Sequence, residues 1–189
     1  MSTLQVELFF ALCFMVIGYW LTPFRHRQIF TIVITLLFLA YESFFTAILL
    51  VFESIIIFYI LKIYERSNSP RLLFSTLFLL AFSFIILKYS YAQSTAWLPI
   101  IIGFSYFTCR QIHFIIETYK GTILKLDFGS YFSYQFFLPV MCSGPINRYP
   151  LYIKQQQRAN INFEIVSLGI ERIIYGFLKV VVIANYLIK

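Results

Sequence analysis

Residues 103–121 read G-F-S-Y-F-T-C-R-Q-I-H-F-I-I-E-T-Y-K-G. This segment places Arg110, His113 and Glu117 on a stretch that is apolar enough to form a membrane-spanning helix. Ionisable groups at membrane depth are energetically expensive, so they are usually kept for a pathway, a site or a buried pair. Most of the chain indicates only a membrane protein, whereas this segment indicates a membrane protein with a polar pathway, site or buried pair.

Residues 136–149 read F-F-L-P-V-M-C-S-G-P-I-N-R-Y, an apolar run interrupted by Pro139 and Ser143-Gly144-Pro145. Both flanks of the segment Phe128–Cys142 are basic, with Lys120 and Lys125 before it and Arg148, Lys154 and Arg158 after it. We therefore expect this segment to enter and leave the membrane on one side, or to lie along the interface. Irregular backbone at membrane depth is tolerated only inside protein or beside a watery cavity. A re-entrant segment thus implies a cavity.

The composition predicts an integral membrane protein whose surroundings are the lipid bilayer. Hydrophobic residues make up 60% of the 189 residues and charged residues 12%, whereas soluble domains carry about 25% charge. The net charge is +7, and basic residues recur in alternate turns, near positions 25–27, 62–71 and 120–125. By the positive-inside rule these turns are cytoplasmic and the N-terminus is outside. No nucleic-acid-binding motif is present, and the three cysteines lack metal-ligand spacing, so neither nucleic acid nor a metal is expected.

The pattern of apolar runs predicts an all-α, polytopic fold in one domain, residues 1–189. From Ile29 to Ile63 there is no glycine or proline, and one helix of that length would be roughly 52 Å long, too long for one span. We therefore place a break at Tyr41-Glu42-Ser43, the polar cluster near the middle. Lys88–Thr95 is predicted to be a polar connection, and Asn160-Ile161-Asn162 to cap a last helix. About six spans are predicted. They are Leu4–Leu21, Ile29–Tyr41, Phe44–Ile63, Leu72–Leu87, a fifth with Pro99 in its first turn and its end at Tyr119, and the later part of a helix that runs from Phe163 towards Ile188 and is amphipathic in its first part.

Polar side chains share one face of the fifth span. At 100° per residue, Tyr106, Arg110, His113 and Glu117 fall within an arc of roughly 60°. The stripe is either a wall of a substrate pathway, in which Arg110 holds a phosphate or carboxylate, or a buried Arg–Glu network that fixes helix packing. Glu53, in the middle of the third span, is expected to pair with Arg110 or another cation. His113 has no sequence-level partner beyond its own helix that would make it a catalytic base.

The breaker motif Ser143-Gly144-Pro145 also has two interpretations. It is either a turn that leaves the membrane or a loop whose backbone N–H groups line a pocket. Ser143 does not lie in a G-x-S-x-G nucleophile elbow, so it is not predicted to be a nucleophile.

These blocks resemble the membrane-bound O-acyltransferase family, most closely the bacterial branch that includes alginate O-acetyltransferases and the D-alanine transfer protein of teichoic acids. The family patterns are similar to G-x-S-F-Y-T-F-R-Q-I-x-Y-L-I-D-x-Y-R-G and F-F-P-x-x-x-A-G-P-I-x-R. A third block, Gly176–Asn185, resembles G-L-F-K-K-V-V-I-A-D. The matching positions are Gly103, Ser105, Thr108, Arg110, Gln111, Ile112, Tyr119, Gly121, Phe136, Phe137, Pro139, Gly144, Pro145, Ile146 and Arg148.

The resemblance implies transfer of an acyl group, expected to be acetyl, to a hydroxyl of a cell-envelope polysaccharide or lipid-linked sugar. It implies a cytosolic acyl-thioester donor, either acyl-CoA or acyl carrier protein, a tunnel through the bacterial cytoplasmic membrane, and no resident cofactor. The residues expected to line that tunnel or pocket are Tyr106, Arg110, Gln111, His113, Glu117, Ser143, Gly144, Pro145 and Arg148.

The family's catalytic histidine lies after the third block, and neither His26 nor His113 matches its motif. We therefore expect no catalytic residue on this chain and no acyl transfer from it alone. On that reading it is the N-terminal half of a truncated or split enzyme, which works with a C-terminal half on a separate chain or with an extracytoplasmic acyltransferase partner. The alternative is a small transporter, channel or assembly subunit without enzymatic activity, or an inert remnant.

Overall fold

The computed structural model describes residues 3–92, 104–123, 125–141, 147–157 and 162–179. Every regular element in these ranges is a helix, which confirms the predicted all-α class. The helices are α1 (Thr3–Leu21), α2 (Arg27–Glu42), α3 (Phe44–Ser67), α4 (Pro70–Ala92), α5 (Phe104–Tyr119), α6 (Phe128–Gln135), α7 (Leu138–Met141), α8 (Tyr149–Gln157) and α9 (Phe163–Leu178), with a 3-10 turn at Phe24–His26 before α2. The chain forms two compact units, Met1–Lys154 and Gln155–Lys189. The single-domain assignment stays a prediction.

The break between α2 and α3 lies where the sequence predicts it. Ser43 is extended, with φ −161° and ψ 106°, and its hydroxyl accepts a hydrogen bond from the Thr46 backbone N–H at 3.3 Å. Serine is a favoured N-cap because its side chain satisfies an N–H that has no partner in the helix. One apolar run of 35 residues is thereby divided into two helices.

The turn between α3 and α4 is also set by local chemistry. Asn68 ends α3 in the left-handed conformation, with φ 48°, and Pro70 begins α4. Asparagine tolerates the left-handed conformation, and proline suits the first turn of a helix. The predicted connection Lys88–Thr95 is wrong over its first five residues, because α4 continues to Ala92. Lysine, tyrosine, serine and alanine do not stop a helix as glycine or proline would, so polarity alone does not end it.

The first unit is built around α2, α3 and α5. Helix α2 contacts α1, α3 and α6, while α3 also contacts α4, α5 and α6, and α5 contacts α4, α6 and α7. Its main core contains Leu50, Leu61, Phe107, Phe114 and Ile115, all fully buried. In α2, the buried hydroxyls of Thr31 and Thr35 donate to the carbonyls four residues earlier, at 2.7 and 2.9 Å, so they leave no unsatisfied donor in the core.

The segment predicted to be re-entrant forms two short helices, α6 and α7. Asp127 caps α6, accepting a hydrogen bond from the Ser130 N–H at 2.8 Å. The helix ends at a turn at Phe136, and Pro139 lies in the first turn of α7, where proline is tolerated. Residues 131–136 are all buried, so protein encloses this broken backbone. Its depth in a membrane stays a prediction, and Cys142 lies outside the described residues.

Among the described residues, α3 alone is both long and apolar enough to cross a bilayer, and the apolar stretches Glu7–Leu21 and Pro70–Ile86 are shorter. The other predicted spans, and the orientation with the N-terminus outside, stay predictions. The proposed start of the fifth span around Pro99 lies outside the described residues.

The described part of the second unit contains α9. As predicted, Asn162 caps this helix: its side-chain oxygen accepts from the Glu164 N–H at 3.4 Å. Apolar side chains such as Ile165 and Ile173 are exposed within the unit. The predicted continuation towards Ile188 and most of the third resemblance block lie beyond the described range.

Candidate functional site

The candidate site lies where α5 packs against α6, around the side chain of Arg110. This arginine is 1% exposed. Its Nη1 donates to the backbone carbonyl of Gln135 at 3.3 Å, and its guanidinium carbon lies 4.4 Å from the centre of the Tyr134 ring. The charge is therefore held by a carbonyl dipole and the negative face of an aromatic ring.

No carboxylate compensates this charge in the described part of the chain. An ion pair in α5 joins His113 Nε2 and Glu117 Oε1, 3.7 Å apart, and Arg110 takes no part in it. The interpretation of the stripe as an Arg–Glu network is therefore wrong for Arg110. The expected pair between Arg110 and Glu53 is also absent, because Arg110 is directed at α6 whereas Glu53 lines a groove between α3 and α4.

The side-chain amides of two glutamines, one on α5 and one on α6, are buried without hydrogen-bond partners. The atoms are the side-chain oxygen and nitrogen of Gln111 and of Gln135; Nε of Arg110 is in the same state. We call Arg110, Gln111 and Gln135 the polar centre. Buried polar atoms are nearly always satisfied, so unused donors and acceptors beside an uncompensated cation indicate a place for another polar group. An anion or a strongly polar acceptor would fit this chemistry.

The ring that lies against Arg110 is that of Tyr134 in α6, and hydrogen bonds of Tyr134 and of Tyr152 in α8 hold this region in place. The Tyr134 hydroxyl donates to the carbonyl of Asn147 at 2.7 Å, and the Tyr152 hydroxyl donates to the carbonyl of Ser133 at 3.1 Å. Burial raises the pKa of Tyr152 to about 12, so this hydroxyl stays protonated at neutral pH. The same effect, reinforced by the carboxylate of Asp127, raises the pKa of Tyr149 to about 12.

Aromatic packing around Phe114 fixes the distance between α5 and the two tyrosine-bearing helices. The ring of Phe114 is fully buried and lies 4.8 Å from Tyr131 and 4.7 Å from Tyr149, centre to centre. Tyr134 and Tyr149 are 5.4 Å apart with nearly perpendicular rings. These edge-to-face contacts are favourable aromatic geometries and make the support of the site rigid.

The other residues predicted to line the site lie at different depths. Tyr106 is 40% exposed and Arg148 is exposed, whereas His113 and Glu117 are partly buried one to two turns from Arg110. Glu117 also accepts a hydrogen bond from the Thr122 hydroxyl at 2.5 Å. Within the predicted stripe the structure thus buries Arg110 fully and leaves its neighbours partly or largely exposed, and the lining role of these residues stays a prediction. Ser143, Gly144 and Pro145 lie outside the described residues.

Helix α6 contributes residues to the site that the sequence alone did not predict. Gln135 supplies the carbonyl and Tyr134 the ring that hold Arg110, yet neither was a candidate. A signal was present, because Tyr131, Tyr134 and Gln135 recur at helical spacing in a segment enclosed by protein. Polar and aromatic side chains on one face of such a segment indicate contact with a buried polar group.

Comparison with curated proteins finds partial similarity to teichoic acid D-alanyltransferases. The chain is 29% identical over 87 residues to the one from Streptococcus thermophilus, 31% over 80 residues to the one from Lacticaseibacillus rhamnosus and 33% over 81 residues to the one from Bacillus subtilis. These matches cover 44%, 41% and 41% of this chain and 21%, 20% and 20% of the relatives. The matched part thus spans about a fifth of each relative's length. No family model and no solved structure matches the chain. The similarity agrees with the teichoic acid side of the predicted family branch, and none of the three is an alginate O-acetyltransferase.

Proposed function

We propose that this chain is part of a membrane-embedded transferase of the membrane-bound O-acyltransferase type, which attaches an acyl or aminoacyl group to a hydroxyl of a cell-envelope polymer. Its partial similarity to teichoic acid D-alanyltransferases and its apolar, helical character support the proposal. The group transferred is proposed to be either acetyl or aminoacyl. The protein is proposed to lie in the bacterial cytoplasmic membrane and to cross it six times.

The observation that carries this function is the uncompensated charge of Arg110. A buried guanidinium that lacks a carboxylate is costly, and proteins rarely keep one without a partner. In the polar centre that partner would be an anionic or strongly polar group of a substrate. Arginine suits phosphate and carboxylate because its planar donors bind two oxygens at once. We therefore assign Arg110, Gln111 and Gln135 to the wall of the substrate passage.

The remaining parts of the machinery are proposed from the family resemblance. The donor is an acyl thioester carried by coenzyme A or by an acyl carrier protein. We assign no catalytic role to His26 or His113 and place the catalytic histidine outside the sequence of 189 residues. It would come from a further segment, from a C-terminal half on a separate chain, or from a complex that includes an extracytoplasmic acyltransferase.

The test measures transfer in membrane vesicles from cells that express this chain with its neighbouring gene products. Vesicles receive radiolabelled acetyl or D-alanyl thioester, and label in the envelope polymer is counted. We expect Arg110→Gln to lower the rate on the order of a hundredfold, as removal of one well-placed charged donor does elsewhere. Arg66→Gln, at an exposed arginine in the last turn of α3, is the matched control and should leave the rate unchanged. Equal rates for wild type and Arg110→Gln, at equal protein amounts, would exclude the assigned role.

The rival function as a transporter or channel predicts a different result in the same vesicles. A transport protein would release entrapped ions or solutes in the absence of any thioester, and Arg110→Gln would alter that flux. The proposed transferase predicts label transfer without a change in flux. Flux without transfer would therefore replace the proposed function with the rival.

A further inference from the structure

A groove between α3 and α4 is separate from the polar centre. Its volume is about 560 Å³, within the size range of small-molecule sites, about 300–1,000 Å³. Side chains such as Phe52, Ile56 and Leu79 make its walls apolar, and Phe104 of α5 contributes to the lining. Glu53, near the middle of the α3 helix, is the one ionisable residue among the described residues that line it.

One carboxylate oxygen of Glu53 has no hydrogen-bond partner in the described structure. This atom, Oε2, is buried. The two hydroxyl groups on the opposite wall are already committed, because Thr76 donates to the carbonyl of Leu72 at 2.7 Å and Ser83 to that of Leu80 at 2.9 Å. The buried hydroxyls of Ser54 and Tyr131 do not donate to Glu53 either. An ionised carboxylate in such surroundings is stabilised by a hydrogen-bond donor, and a bound molecule would supply one.

We propose that this groove binds an amphiphile that carries a primary ammonium group next to an apolar chain, with the ammonium paired to Glu53. The charges are complementary, and an ammonium group supplies three donors to a carboxylate that can only accept. The apolar walls would bury the chain of the same molecule. The inference rests on the proposed function: of the groups considered there, an aminoacyl group such as D-alanyl carries the ammonium that this groove would bind, and an acetyl group does not.

The direct test is binding of a defined probe to the purified full chain in detergent micelles. The probe is D-alanine octyl ester, which joins an ammonium to an apolar chain, and its partner is the neutral N-acetyl-D-alanine octyl ester. Calorimetric titration gives a dissociation constant for each. We expect the wild type to bind the ammonium ester at least about tenfold more tightly than the neutral ester.

Four variants distinguish the contribution of the charge from that of the cavity. Glu53→Gln keeps the shape and removes the charge, so both esters should bind equally, whereas Glu53→Asp should retain part of the preference. Glu65→Gln, at an exposed glutamate of the same helix, should keep the wild-type ratio. Leu79→Trp fills the groove and should weaken both esters at least about tenfold. Helical circular dichroism and a single size-exclusion peak confirm that each variant is folded.

Each contrary outcome overturns the inference. It is overturned if Glu53→Gln keeps the preference for the ammonium ester, if the wild type binds the two esters equally or not at all, or if Leu79→Trp leaves both affinities unchanged. The transfer assay tests the proposed function separately. If the chain binds the ammonium ester through Glu53, but vesicles that also contain the neighbouring gene products show no transfer, the transferase function is refuted and the groove proposal stands. If transfer occurs but the chain binds the ammonium and neutral esters equally, the proposal that the groove binds an ammonium group is refuted and the transferase function stands.

Discussion

Replacement of Arg110 by methionine tests whether this buried charge serves function or folding. Methionine has a similar length and is apolar, so the variant removes the charge without leaving a large cavity. If Arg110 were a structural residue, its loss would destabilise the α5–α6 contact. If Arg110 instead serves to bind a ligand, the fold should tolerate its replacement, because a binding site without its ligand lowers the stability of the protein.

The contacts of Arg110 set the size of the effect. Its hydrogen bond to the Gln135 carbonyl is worth about 1.5–3 kcal/mol and its contact with the Tyr134 ring about 0.5–2 kcal/mol, so methionine loses roughly 2–5 kcal/mol. Against this stands the cost of burying an uncompensated guanidinium, which is several kcal/mol. The two nearly cancel, so we expect a change in unfolding free energy within about 1 kcal/mol of zero.

The assay is thermal unfolding in detergent, followed by circular dichroism, with Phe114→Ala as the reference for a structural loss. Phe114 is fully buried among aromatic rings, and its truncation should cost about 3–5 kcal/mol. Arg110→Met should unfold near the wild-type temperature and lose transfer activity. A loss of stability as large as that of Phe114→Ala would refute the reasoning and make Arg110 a packing residue.

Three further changes test local features of the fold. Ser43→Ala removes the cap of α3 and should cost about 1 kcal/mol, whereas Ser75→Ala, at an exposed serine in α4, should cost little; thermal unfolding compares the two. Gly121 has φ +72°, so Gly121→Ala should cost about 1 kcal/mol, while Gly169→Ala within α9 should stabilise that helix; a destabilised Gly169→Ala would contradict this account. Tyr152 has a pKa of about 12 in the fold and about 10 when unfolded, so the fold favours its protonated form. The contribution of Tyr152 to the free energy of unfolding is fully present below pH 10, and about 2–3 kcal/mol of it is lost as the pH rises to 12. Because phenylalanine does not ionise, the stability of Tyr152→Phe, measured by unfolding at alkaline pH, should not show this loss.

Much of the helical order could be predicted because it depends on local chemistry. Ser43, Asn68 and Asn162 end or cap helices through bonds to residues within a few positions, so the sequence around them contains the cause. The end of α4 was misplaced because polar residues without glycine or proline do not stop a helix. For the site, the sequence pointed to Arg110 and Gln111, since such residues are conspicuous in an apolar segment.

The sequence by itself determined the all-α class, the division of the longest apolar run and the presence of a cation in α5. Only the tertiary structure decided what that cation contacts. Gln135 lies 25 residues from Arg110, and the packing of α5 against α6 brings them together. The structure also directed Glu53 away from Arg110 and into the α3–α4 groove. Helical periodicity assigns a residue to a face, but the choice of partner depends on which helix covers that face, and long-range packing sets that.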